Sequence, residues 1–117
     1  MESKWFTRKE FACKCGKCEF DVVDAELLEV LERLREDFGK PVIITSACRC
    51  KEHNVKIGGA SKSKHLLGKA ADIRVKDVDP HDVYEYLCVN YSDKYGIGDA
   101  NSFTHIDVRD YAARWKY

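Results

Sequence analysis

His65 and Asp72 stand seven residues apart with Gly68 between them, and the run Ala70 to Val75 that carries the aspartate reads as a strand. A histidine arriving from a loop and a carboxylate arriving from a strand can converge on one ion. Further along, Phe103 to Arg109 alternates: Phe103, His105, Asp107 and Arg109 share one face, and Thr104, Ile106 and Val108 share the other. His105 thus supplies a second imidazole, with Asp107 beside it. Two nitrogens and one carboxylate oxygen, with a fourth position left to water, is the usual way a protein holds catalytic zinc. The chemistry open to such a centre is activation of water by a Lewis acid.

Several elements must position these residues. Thr7 and Glu10 form a capping box for one helical turn, whose neighbours Trp5, Phe6 and Phe11 should fold back on the core. Asp24 begins a longer helix in which Leu27, Leu31, Leu34 and Phe38 recur at helical spacing, and Gly39 with Pro41 stops it. Val42 to Thr45 is a β-branched run that reads as a buried strand. From Lys51 to Gly68 the chain is polar and without period, as a functional loop would be. Asp79-Pro80 with Asp82 starts a second helix, burying Val83, Tyr84 and Leu87, and Tyr95 to Ile97 reads as a third strand.

A chain of 117 residues suits one domain, so residues 1–117 are expected to share a single core. Twenty basic and twenty acidic residues cancel, and neither sign forms a long block. No nucleic-acid partner is therefore expected. No stretch is apolar enough for a secretory signal or for membrane insertion.

Cys13, Cys15 and Cys18 form one tight group and Cys48 and Cys50 another. Four of these five thiolates could hold a structural zinc, which small domains use to supplement a limited core, with disulfides as the alternative. Cys88 reads as a core cysteine. A cysteine nucleophile working with His53 or His81 lacks an orienting third group.

The segments SKHLLGKAADI and FTHIDVR resemble the two metal motifs of the peptidase M15 family. That family comprises zinc D-Ala-D-Ala carboxypeptidases and peptidoglycan endopeptidases, related to the Hedgehog fold. KPVIITSACRCKEHNVKIGGASKSKH, YGIG and the late ARW extend the likeness over roughly residues 5 to 115. The resemblance implies an α+β fold, Hedgehog and DD-peptidase-like: a small antiparallel sheet carrying the metal cleft, with the 24–38 helix packed on its back. It implies that His65, Asp72 and His105 bind one catalytic zinc and that Arg49, sixteen residues before His65, binds substrate. A guanidinium beside the cleft would hold a peptide carbonyl or carboxylate by charge-assisted hydrogen bonds.

Many family members carry an Asp or Glu three residues before the last zinc histidine, where this chain has Ser102. A serine cannot take over as the base. Asp107 is the first candidate to deprotonate or orient the water, or else to fix a ligand, and Asp99 is the second. The expected function is zinc-dependent hydrolysis of peptidoglycan stem or cross-link peptide by a monomer. The setting expected is a phage or prophage lysin or virion component released without Sec export. A non-hydrolytic zinc module recognising cell-wall peptide or a protein partner is the alternative.

Overall fold

The computed structural model describes residues 3–13, 24–47 and 68–117. Helix α1 (Ala25–Phe38) starts where expected: the Asp24 carboxylate accepts from the backbone N–H of Glu26 at 2.8 Å, and Gly39 closes the helix in the left-handed region, φ 63°. Its apolar stripe of Leu27, Leu31 and Leu34 is buried completely. Ahead of it, a 3-10 turn (Arg8–Phe11) is tied by the Glu10 carboxylate, which accepts from the Thr7 N–H at 2.6 Å. Phe6 and Phe11 of this arm join the core, and Trp5 packs against it.

Five strands form one sheet: β1 (Val42–Ser46), β2 (Ala70–Val75), β3 (Gly96–Asp99), β4 (Thr104–Asp107) and β5 (Ala113–Lys116), in the order β1-β2-β4-β3-β5. The first four pair antiparallel, but β5 runs parallel to β3. The expected antiparallel sheet is therefore mixed. The α+β class stands, with helix α2 (Pro80–Asn90) capped by Asp79, whose carboxylate accepts from the His81 N–H at 2.9 Å.

Period-two alternation gives the sheet two unlike faces. Ala71, Ile73, Ile97 and Ile106 point into one apolar cluster with Leu27, Leu31 and Leu34 of α1 and Val83 and Leu87 of α2. Helix α1 lies against β1 and β2, as expected, and α2 against β2, β3 and β4. The opposite face carries Ala70, Asp72, His105 and Asp107. Among the described residues no helix is long and apolar enough to cross a membrane.

The connection after α2 is fastened by a residue far along the chain. Arg114, on the helix-facing side of β5, donates to the carbonyls of Tyr91 at 2.6 Å, Lys94 at 3.2 Å and Tyr95 at 2.5 Å. The last turn of α2 has no basic residue of its own, so Arg114 supplies both the hydrogen bonds and the positive charge.

Candidate metal centre

Strands β2 and β4 pair so that Asp72 stands directly opposite His105. The expected ligands on the two strands thus meet through register alone, with Asp72 Oδ1 at 2.8 Å from His105 Nδ1. Both residues are buried. On the other side of the ring, His105 Nε2 lies 2.8 Å from Asp107 Oδ2. An ionised carboxylate only accepts, so a ring held between two of them donates from both nitrogens and is protonated; a metal taken up at Nδ1 would displace that proton and leave the one on Nε2 held by Asp107. A carboxylate fixing the far nitrogen of a histidine is the usual support of a metal ligand. Burial lowers the His105 pKa, but the hydrogen bonds to Asp107 and Asp72 outweigh it and leave it raised.

Asp107 is consumed by its neighbours. Its carboxylate also accepts from Arg109 Nε and Nη2, both at 2.7 Å, and from the Gly96 N–H at 3.2 Å, and the residue is 0% exposed. Burial alone would push this carboxyl up, yet His105 and Arg109 hold it well below the usual carboxylate range. Arg109 in turn lies over the rings of Tyr111 and Trp115, at 5.4 and 5.3 Å from their centroids. Of the two roles open to Asp107, the geometry fits the one that fixes a ligand.

Asp99 lies on the helix-facing side of the sheet. It pairs with Thr104, which faces the helices, and its Oδ2 lies 2.7 Å from His81 Nδ1 at the start of α2. That hydrogen bond, with the charges of Asp99 and Glu85, raises the His81 pKa against desolvation. The fold does not bring Asp99 to the face of His105.

Two glycines make this face possible. A Cβ at Gly96 would stand 2.5 Å from Asp107 Oδ2 and 2.6 Å from Arg109 Nε; one at Gly98 would stand 2.6 Å from Trp115 Nε1. Gly98 pairs with His105 on one side and Trp115 on the other, so the indole crosses bare backbone to reach the imidazole, 5.1 Å between centroids. Gly98→Ala is expected to push Trp115 off His105 and to destabilise the fold by about 1–3 kcal/mol, seen as a lower urea midpoint and altered tryptophan fluorescence.

His65, Arg49 and His53 lie outside the described residues, as do Cys15, Cys18, Cys48 and Cys50. Cys13 is buried, and Cys88 is half-buried against the core. Among the described residues no group of three His, Cys, Asp or Glu side chains is placed to hold a metal ion. The donor types of Asp72 and His105, and the anchoring of Nε2 by Asp107, fit two positions of a three-ligand zinc site. Arg109 was readable as a neighbour of His105 on the strand face but not as the partner of Asp107; an Asp-x-Arg pair on one strand face was the available signal. The place of Trp115 had no signal beyond the likeness of ARW.

No curated protein matches the chain. The family model described as Peptidase M15 matches residues 4–107, which takes in Asp72, His105 and Asp107 and stops short of Arg109 and β5. With nearly the whole chain matched and its metal-type pair facing across two strands, this protein belongs to the peptidase M15 family.

Proposed function

We propose that the chain is a zinc-dependent peptidase acting on peptide bonds of the peptidoglycan stem or cross-link. The observation that supports this most is the pairing of Asp72 with His105 at 2.8 Å while Asp107 fixes the opposite ring nitrogen. In this reading His65 completes the ligand set and Arg49 grips a carbonyl or carboxylate of the substrate. Zinc, when bound, supplies Lewis acidity for amide hydrolysis by water. Asp107 holds His105 in one tautomer and orientation, and Arg109 and the Gly96 N–H hold Asp107. Trp115 covers one side of the imidazole and limits access of bulk water to it.

Dye release from purified peptidoglycan, with and without chelator, tests the reading. Release that chelator abolishes and zinc restores is expected, together with its loss in His105→Ala. Absence of chelator-sensitive release would overturn it. The engagement of Asp107, the placement of Asp99 on the helix-facing side of the sheet and the serine at position 102 favour one second reading, a zinc-binding module that recognises cell-wall peptide without cutting it. That reading predicts stoichiometric zinc with binding to the wall and no release.

A further inference from the structure

Strand β2 continues past Asp72 to Arg74, which therefore lies on the same open face, about 7 Å further along the strand. Arg74 is exposed and, among the described residues, has no hydrogen-bond or ion-pair partner. The contrast with the other arginines of this region is chemical: Arg109 is consumed by Asp107 and Arg114 by four carbonyls. Ile43 pairs with Arg74 across β1 and is itself 41% exposed.

Arg74 and Ile43 line a cavity of about 420 Å³ at this end of the sheet. Val78 and Pro80 give it an apolar wall, and Lys76 a second cation. Asp77 contributes one carboxylate, so the charged lining is two cations against one anion. Ser102 also lines it. A carboxylate there would cancel the remaining positive charge; a hydroxyl leaves it and adds a hydrogen-bond donor.

We infer that this cavity is a specificity subsite of the proposed peptidase, in which Arg74, aided by Lys76 and Ser102, binds a free carboxylate of the peptide substrate while Ile43, Val78 and Pro80 take its aliphatic stem. The inference rests on the proposed function for the identity of the substrate, and on the cavity alone for its chemistry. The planar guanidinium matches a carboxylate by two parallel hydrogen bonds, and it lies one side-chain row from the metal pair. Ser102 is then part of substrate selection.

The probe is a short peptide ending in D-Ala-D-Ala and bearing one glutamate, made in four forms: both carboxylates free, the side chain amidated, the C-terminus amidated, and both amidated. Binding to the zinc-loaded chain is measured on ice by fluorescence anisotropy, and cleavage of the same samples is followed by chromatography. Amidation of whichever carboxylate enters the cavity is expected to weaken binding about tenfold, which identifies its source. Arg74→Gln is expected to bind all four forms with the affinity of the amidated one, at unchanged zinc content, and Arg74→Lys to recover part of the preference. Equal binding of all forms by the wild-type chain, or a preference that survives in Arg74→Gln, would overturn the subsite. A preference removed by Arg74→Gln without any cleavage sustains the subsite and sinks the peptidase reading.

Discussion

Asp107→Ala is expected to destabilise the fold by about 3–5 kcal/mol and to weaken zinc binding about 10–100-fold. The first figure follows from what the substitution strands. Arg109 loses both its 2.7 Å bonds, the Gly96 N–H loses its acceptor, and His105 loses the group that fixes Nε2. A buried pair contributes little as a pair, but breaking one side leaves the other charge uncompensated. Urea unfolding with chelator present isolates the stability effect, and a competition titration against a zinc dye reads the affinity. Asp107→Ala with Arg109→Leu is expected to regain part of the lost stability without regaining zinc affinity, because the stranded guanidinium is gone while His105 stays unanchored. If Asp107 were instead an exposed base, the single variant would keep its stability and its metal and lose only turnover.

The second large effect is expected far from the metal. Arg114→Ala should lower stability by about 2–3 kcal/mol, since hydrogen bonds from a charged donor are among the stronger ones and three carbonyls at the end of α2 and the turn after it share this one side chain. The change is read as a shift in the urea midpoint. Zinc content should be unaltered, because Arg114 and Trp115 point to opposite faces of β5. Loss of zinc together with stability would mean that β5 and the metal face come apart as one unit.

Part of this architecture was legible because it is written in local periodicity. Asp24 and Gly39 bound α1 through capping, which involves neighbouring residues only. The alternation of Phe103 to Arg109 placed His105 and Asp107 on one face because side chains along a strand repeat every second residue. The same rule placed Thr104 and Ile106 together on the other face, which the structure buries completely at both.

Other features depend on which strands pair and in which register. Alternation on β3 puts Asp99 opposite in facing to Gly96 and Gly98, but only the pairs Gly98↔His105 and Asp99↔Thr104 show that Asp99 faces the helices. The parallel seat of β5 beside β3 was likewise unreadable, because a four-residue strand of mixed type at the end of a chain has no local signal of its partner. Nor can spacing reveal that a carboxylate already has partners: Arg109, the Gly96 N–H and His105 all bond to Asp107.

The sequence by itself determined both ends of α1, the start of α2 and the strand face shared by His105 and Asp107, all consequences of short-range geometry. Tertiary structure alone decided that Asp72 meets His105, that Asp107 bonds at once to the His105 ring, Arg109 and the Gly96 N–H, and that Trp115 reaches His105 across Gly98. Each of these involves a cross-strand contact, and register between strands is set by packing of the whole sheet on its helices.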